Sequence, residues 1–251
     1  MILRLCFLVV IGFSLIGCSS IPNLYSDAQL STMALEQFEA MKQEMPVSRD
    51  RAMNAQVQRV GQRIAAVVEG EIPDAAWEFI VFENDSVNAF AMPGGKIGVN
   101  TGLLALVDSD DELAGVMGHE VCHVLLKHSN QRMSAELVRQ GFGVGVQVAS
   151  KDMKTENQAL INAAYGIGTE IALMKPFGRS HEYEADERGL IVAATAGYDP
   201  RGSVVFWEKM KATSDGQPPE FLSTHPNHDN RIERLTALMP EAMAIYESAR
   251  K

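Results

Sequence analysis

The chain has too few cysteines for a disulfide framework. Three cysteines occur in 251 residues, and Cys6 and Cys18 both belong to the N-terminal segment. Cys122 is then the one thiol left in the body of the chain. A small secreted scaffold held together by disulfides is therefore excluded. The residues that follow position 17 are numerous enough to form a hydrophobic core of their own.

Basic residues are also scarce. The 22 Lys and Arg are outnumbered by 32 Asp and Glu, which gives a formal net charge of −10. No basic stripe runs along the sequence, which argues against nucleic acid or an anionic membrane surface as a partner. The sequence also lacks heptad runs, low-complexity tracts and internal repeats. These absences favour an ordinary globular protein.

The apolar run at the N-terminus is short. Arg4 precedes residues 5–16, which are almost wholly apolar but too few for a confident membrane span. The run ends in L-I-G-C, which resembles a bacterial lipobox, so we expect a signal peptide over residues 1–17, lipid on Cys18 and a tether over 18–27. An ordinary signal peptide or a short membrane anchor is the alternative. By resemblance to enterobacterial sorting rules, Ser19 implies an outer-membrane lipoprotein that faces the periplasm.

The motif His119-Glu120-Val121-Cys122-His123 is the strongest functional signal in the chain. Ser109 and Glu112 form a capping box that starts its helix, and apolar residues recur at helical spacing. Histidines four apart share one helix face, so His119 and His123 can bind one metal ion, for which Zn²⁺ is suitable. Glu120 can then face the open position and act as a general base. The alternative is a charged helix with solvated histidines.

The third ligand must come from another part of the chain. A metzincin would need Gly at 126 and His at 129, but the residues there are Leu126 and Ser129. His128 lies about 140° further round the helix than His123, which makes it a poor ligand. We therefore expect the ligand in the acidic segment at residues 180–186.

In that segment, we expect Ser180 to cap a helix that ends at Gly197. Glu182 and Asp186 lie one turn apart on one face of this helix. One carboxylate can bind the metal while the other accepts the spare ring N–H of a ligand histidine. The alternative is an acidic first turn that interacts favourably with the helix dipole.

The combination of H-E-x-x-H with a later E-x-x-A-D resembles the zinc metallopeptidases that include HtpX and the CAAX prenyl proteases, family M forty-eight. Residues 88–95 (N-A-F-A-M-P-G-G), 97–104 and 196–200 match further segments of the family. The segment T-H-P at 224–226, with Arg231 and Ile232, resembles that of the periplasmic members, the BepA-like and LoiP-like proteins. The resemblance covers roughly residues 50–240.

The resemblance implies one Zn²⁺ per chain, bound by His119, His123 and Glu182. It makes Glu120 the general base and places Asp186 behind the site. His225 becomes a candidate for one of two roles, a donor to the oxyanion or a cap on the zinc in a resting state. Cys122 stands where the family usually has Ala or Gly, and we interpret it as a small buried side chain.

The patterns predict a mostly helical α+β fold, a gluzincin-like metallopeptidase domain with a small β-sheet beside the zinc helix. The domain is expected to cover residues 28–251. Helices are predicted over 27–45, 48–69, from 101, from 109, over 201–211 and over 229–249, and strands over 77–82, 87–91 and 96–99. Residues 131–172, rich in Gly and Ala, predict packed helices with a bend near 151–156, or a mobile lid.

The strand Lys96-Ile97-Gly98-Val99 alternates beside a Pro-Gly-Gly turn. We expect it to be a sheet edge onto which an extended substrate peptide adds as a further strand. The alternative is an ordinary core strand.

These observations predict a zinc metalloendopeptidase, a hydrolase anchored to the bacterial envelope. By resemblance, its substrates are misfolded or stalled envelope proteins, and outer-membrane assembly machinery is a possible partner. The alternative is a zinc-stabilised chaperone or assembly factor for outer-membrane proteins with little or no proteolysis. The presence of Glu120 favours the enzyme, because binding alone needs only the metal ligands.

Overall fold

A computed structural model describes residues 22–72, 74–170, 174–213, 220–225 and 230–250. The described chain forms two compact units. One comprises Ser129–His181 with the described residues up to Ser26, and the other comprises Asp27–His128 with Glu182–Lys251. The expected signal peptide and Cys18 lie outside the described residues, so the lipidation of Cys18 stays a prediction. The single domain over 28–251 also stays a prediction.

The elements follow one another along the described chain as ten helices and three strands. They are α1 (Asp27–Glu44), α2 (Arg51–Val68), β1 (Glu78–Phe82), β2 (Ala89–Met92), β3 (Lys96–Asn100), α3 (Thr101–Leu106), α4 (Asp110–Leu125), α5 (His128–Ser150), α6 (Thr155–Thr169), α7 (Lys175–Thr195), α8 (Arg201–Ala212), α9 (Glu220–Thr224) and α10 (Arg231–Ala249). The mostly helical α+β fold with a small sheet is therefore confirmed. The short helix α9 was not predicted from the sequence.

The sheet has the strand order β1-β3-β2. Strand β1 is parallel to β3, and β2 is antiparallel to it. The prediction that Lys96, Ile97, Gly98 and Val99 form an open sheet edge is wrong, because β3 is the central strand and both of its sides are hydrogen-bonded. All five residues of β3 are buried, so the alternative of a core strand holds.

The turn between β2 and β3 needs glycine. Gly94 and Gly95 have φ angles of 77° and 82°, which L residues with a side chain rarely adopt. This turn returns the chain antiparallel to β2 and places β3 inside the sheet. The other side of β3 is then filled by β1, which comes from earlier in the chain.

Helix α4, which carries the H-E-x-x-H motif, lies in the core. It packs against α2, α8 and strand β2. Its apolar residues Leu113, Met117 and Val121 are fully buried, and each such side chain contributes roughly 1.5–3 kcal/mol through the removal of apolar surface from water. The predicted buried face of this helix is therefore observed, and the packing holds the motif rigidly.

Helix α7 begins earlier than predicted. It starts at Lys175, so Ser180 is an interior residue and not the N-cap. The acidic segment therefore lies beyond the first turn, where the helix dipole is weak.

The end of α7 is as predicted. Gly197 has a φ of 79°, and the N–H of Tyr198 donates to the carbonyl of Ala193 at 3.0 Å. This is the Schellman arrangement that commonly ends a helix at a glycine.

The unit with residues 129–181 is helical. Helices α5 and α6 are separated by residues 151–154, which agrees with the predicted bend. The N–H of Leu24 donates to Ser134 Oγ at 2.9 Å, and Asn130 Nδ2 donates to the carbonyl of Tyr25 at 2.7 Å. Across the described parts of the chain, no helix combines the length and the apolar character that crossing a membrane requires.

Candidate metal centre

The helix that carries the motif starts at a well-formed cap. Ser109 has an extended backbone, and its Oγ accepts a hydrogen bond from the N–H of Glu112 at 3.2 Å. The carboxylate of Glu112 accepts from the N–H of Asp108 at 3.3 Å. Such caps typically contribute about 1 kcal/mol to helix stability. This cap fixes the residue at which α4 begins.

Helices α4 and α7 meet at two glycines. A Cβ atom on Gly118 would lie 2.8 Å from the carbonyl oxygen of Gly189. A Cβ atom on Gly189 would lie 2.8 Å from the backbone nitrogen of His119. These contacts are with backbone, which cannot turn aside, so both positions require glycine. The close approach brings the acidic face of α7 to the histidines of α4.

Four side chains converge at this crossing. The Nε2 atoms of His119 and His123 are 3.0 Å apart. Glu182 places Oε2 at 3.5 Å from His119 Nε2 and Oε1 at 3.6 Å from His123 Nε2. His225 Nδ1 lies 3.2 Å from His119 Nε2 and 3.0 Å from Glu182 Oε2. One ligand atom from each of these residues lies within 4.8 Å of all the others, so the group could hold a metal ion.

The separations suit a tetrahedral ion. Ligands about 2.0 Å from a tetrahedral metal lie roughly 3.3 Å from one another. The distances among His119, His123 and Glu182 are 3.0, 3.5 and 3.6 Å. Imidazole nitrogen and carboxylate oxygen are also donors that Zn²⁺ accepts. The geometry and the donor types therefore both fit such an ion.

His225 is placed by the short helix α9. Its N–H donates to the carbonyl of Phe221 at 2.7 Å, and its ring lies 4.5 Å from the Phe221 ring, centroid to centroid. Phe221 is fully buried, and its N–H donates to the carbonyl of Val87 at 3.0 Å. His225 itself is 8% exposed. The next residue of the T-H-P segment, Pro226, lies outside the described residues.

Asp186 lies behind His119. Its Oδ1 is 2.9 Å from His119 Nδ1, so the carboxylate contacts the ring nitrogen that faces away from the cluster. This is the contact expected for Asp186 from its position one turn after Glu182. A carboxylate here holds the ring in place and makes its other nitrogen a better donor to a metal.

Arg231 joins the two carboxylates, a role that the local sequence does not indicate. Its Nε and Nη2 donate to Asp186 at 2.6 and 2.5 Å, and its Nη1 donates to Glu182 Oε2 at 3.1 Å. The side chain is fully buried, with its guanidinium 3.6 Å from the centroid of Trp207. The one signal in the sequence was the position of Arg231 six residues after His225 in the matched segment.

Glu120 lies beside the cluster. It is 1% exposed, and its Oε1 is 3.3 Å from His225 Nε2. This oxygen is buried and accepts no hydrogen bond from the described residues. Burial raises the pKa of Glu120, although His225 and His119 oppose the change. A raised pKa brings the carboxylate closer to the range in which it can accept and return a proton.

The carboxylates control the protonation of His119. Burial lowers the pKa of this histidine, but Asp186 and Glu182 outweigh that effect and raise the pKa to about 9. Burial raises the pKa of Glu182, but hydrogen bonds with His119 and His225 outweigh it and hold the pKa well below its usual range. Asp186 also has a lowered pKa, because Arg231 and His119 outweigh its burial. Without a metal, His119 is therefore a positively charged imidazolium at neutral pH, with a proton on both ring nitrogens.

His123 and His128 are different from His119. Burial, with a further contribution from His119, lowers the pKa of His123 well below 6.5 and that of His128 to about 4. His128 Nδ1 lies 2.9 Å from His123 Nδ1. His128 therefore lies behind His123 and outside the cluster of ligand atoms, as expected for a poor ligand.

Cys122 is buried inside the motif. Its side chain is 0% exposed, and burial raises the pKa of its thiol to about 12. This agrees with its interpretation as a small buried side chain, because reactive cysteines need a thiolate that solvent can reach.

The comparisons with known proteins agree with this geometry. The family model described as "Peptidase family M48" matches residues 51–239. The chain belongs to this family. The match includes the ligand cluster together with Glu120, Asp186 and Arg231.

Several relatives carry names that describe metalloendopeptidases or proteases. The chain is 34% identical over 183 residues to "Metalloendopeptidase OMA1, mitochondrial" of Bos taurus, which covers 70% of this chain and 35% of the relative. It is 33% identical over 196 residues to "Mitochondrial metalloendopeptidase OMA1" of Schizosaccharomyces pombe, 77% of this chain and 55% of the relative. The chain thus spans between about a third and about half of these relatives.

A bacterial relative is also similar. The chain is 29% identical over 194 residues to "Beta-barrel assembly-enhancing protease" of Escherichia coli, which covers 74% of this chain and 39% of the relative. The family therefore includes bacterial and mitochondrial proteins that are named as peptidases.

Proposed function

We propose that this protein is a zinc-dependent endopeptidase of the bacterial envelope. The observation that carries the proposal is the position of Glu120, a buried carboxylate beside the convergent ligand atoms of His119, His123 and Glu182. A protein that used a metal for stability alone would need the ligands but no further buried carboxylate beside them. Zinc is proposed because the donor set and the ligand separations both suit it.

The chain's own residues account for the proton transfers. Bound zinc would polarise a water molecule and the scissile carbonyl as a Lewis acid. Glu120 accepts the proton of the attacking water at Oε1 and passes it to the leaving amine. Asp186 and Arg231 hold His119 and Glu182 in place, so that the site is preorganised before substrate binds.

The position of His225 favours one of its two candidate roles. Its Nδ1 points into the ligand cluster, 3.2 Å from His119 Nε2, and its Nε2 points towards Glu120. We propose that it caps the metal in a resting state and occupies the place of the reacting water. Replacement by Ala should then raise the peptidase rate at matched zinc content. A fall of about a hundredfold would instead assign it to oxyanion stabilisation.

Substrate docking is reassigned from β3 to β2. Strand β2 is an edge strand that packs against α4, and it has one neighbouring strand among the described residues. We infer that an extended peptide pairs with its outer side, next to the helix that carries two of the metal ligands. Backbone pairing of this kind binds many sequences, since main-chain hydrogen bonds supply much of the affinity.

The location and the substrates are inferred from the sequence and the relatives. The lipobox resemblance at Cys18 supports attachment to the outer membrane with the enzyme facing the periplasm. The name of the Escherichia coli relative joins β-barrel assembly with proteolysis. We propose misfolded or stalled envelope proteins as substrates and outer-membrane assembly machinery as a partner. The same name supports the alternative of an assembly factor with little proteolysis.

Digestion of an unfolded protein separates the two functions. Wild-type protein should cleave reduced casein, and a chelator should stop the cleavage until zinc is restored. Glu120→Gln should retain zinc and the fold but lose about 10²–10⁴-fold in rate. Glu247→Gln, on the exposed face of α10, is the matched control and should cleave normally. Equal rates for Glu120→Gln and wild type would remove Glu120 as the base. A zinc-loaded wild type that cleaves nothing would favour the assembly factor.

A further inference from the structure

The two histidines of the motif are held from behind by different groups. His119 Nδ1 faces the carboxylate of Asp186 at 2.9 Å. His123 Nδ1 faces another imidazole, His128 Nδ1, at 2.9 Å. The mechanism assigns no role to His128, although it is 3% exposed and touches a metal ligand.

The position of His128 depends on an interruption between helices α4 and α5. In an uninterrupted helix it would lie about 140° further round the axis than His123 and could not meet it. Helix α4 ends at Leu125, and Lys127 has a φ of 56°. This left-handed conformation is unfavourable by roughly 1–2 kcal/mol for a residue with a side chain. It turns the chain so that α5 begins at His128, with its ring behind His123.

The contact requires a definite arrangement of protons. A metal ligand needs a lone pair on the nitrogen that faces the metal, and in His123 this is Nε2. A neutral His123 therefore carries its proton on Nδ1. Two nitrogens 2.9 Å apart share one proton, so His128 Nδ1 must accept. The proton of neutral His128 is then on Nε2, which lies 3.5 Å from Glu184 Oε2.

We propose that His128 is a positioning residue for the metal ligand His123. Its neutral imidazole accepts a hydrogen bond from His123 Nδ1, which fixes both the ring orientation and the tautomer that presents Nε2 to the metal. The proposal rests on the metal site described above. It also predicts an asymmetric site, in which a carboxylate supports one histidine and an imidazole supports the other.

Matched substitutions at position 128 separate hydrogen bonding from packing. His128→Phe keeps a ring of similar size but has no acceptor, whereas His128→Asn keeps an acceptor, because its Oδ1 can take the place of Nδ1. Loss of the contact should weaken zinc binding about 10–100-fold. We expect this loss for His128→Phe and His128→Ala, and we expect His128→Asn to stay within about threefold of wild type. Lys127→Gly, which relieves the left-handed backbone, is the control for the helix junction and should bind zinc normally.

Zinc affinity is measured by competition with a chromophoric chelator at constant pH, which is independent of peptidase activity. Nitrogen-15 NMR of the zinc-loaded wild type gives the second readout. The proposal requires the proton of His123 on Nδ1 and an unprotonated Nδ1 on His128. A His128→Phe protein that binds zinc within twofold of wild type overturns it, as does a proton on His128 Nδ1. Wild-type protein that binds no zinc would instead refute the metal site.

Discussion

Removal of the Arg231 guanidinium should destabilise the protein more than most single substitutions. Arg231 is fully buried and makes three hydrogen bonds to carboxylates, two to Asp186 and one to Glu182, while its Nη2 lies 3.4 Å from His119 Nδ1. Arg231→Met keeps much of the side-chain length and the packing on Trp207 but removes the charge. Both carboxylates then lose their buried cation, and Asp186 keeps only His119 as a partner at the site.

The magnitude follows from the burial of all the groups involved. Breaking a buried ion pair by removing one partner costs about 3–5 kcal/mol, since the remaining charge has no compensation. For a chain of this size, 1 kcal/mol corresponds to about 2–4 °C in Tm. The expected loss is therefore roughly 6–20 °C. Arg231→Lys keeps a positive charge but cannot form the fork to both carboxylates, so it should lie between wild type and Arg231→Met.

Urea unfolding of the metal-free proteins at pH 7 measures the loss, with the m-value as a check that unfolding stays comparable. The pKa of Asp186 is lowered in the folded protein, so the stability it contributes is present above its unfolded value of 3.8 and is lost as pH falls below it. The stabilities of the wild type and the Arg231→Met protein should therefore converge in acid. A difference under 1 kcal/mol at pH 7 would refute the reasoning.

Two further predictions concern the helix crossing and the protonation of the site. Gly189→Ala puts a methyl group 2.8 Å from the backbone nitrogen of His119, so it should cost at least about 1–3 kcal/mol and weaken zinc binding; a fully stable, zinc-binding variant would contradict the close crossing. The pKa of His119 is raised from 6.5 to about 9. The free energy of unfolding of the metal-free protein should therefore be up to about 3 kcal/mol larger at pH 6.5 than above pH 9, and the difference is lost as pH rises through 9. Zinc binding should release this proton, which calorimetry in buffers of different ionisation enthalpy detects. His119→Ala should show neither effect, and a pH-independent wild type would contradict the assignment.

The sequence determined the parts of the site that depend on neighbouring residues. His119 and His123 share a face because they are four apart in one helix, and Ser109 sets where that helix begins. Gly197 ends α7 because the chain there needs a positive φ. Each of these features depends on helical geometry and local hydrogen bonding over a few residues, and such constraints are legible without knowledge of the rest of the chain.

The tertiary structure decided which distant groups meet. The order of the strands put β3 in the centre of the sheet. The residues of β3 alone would suit an edge strand equally well. The crossing at Gly118 and Gly189 brought Glu182 to the histidines, and α9 brought His225. Arg231 is buried against two carboxylates that lie far from it in the sequence. His128 meets the ligand His123 because the helix is interrupted between them. Such contacts depend on how helices and strands pack against one another. The role of each side chain depends on a partner from another element, and no local sequence pattern specifies that partner.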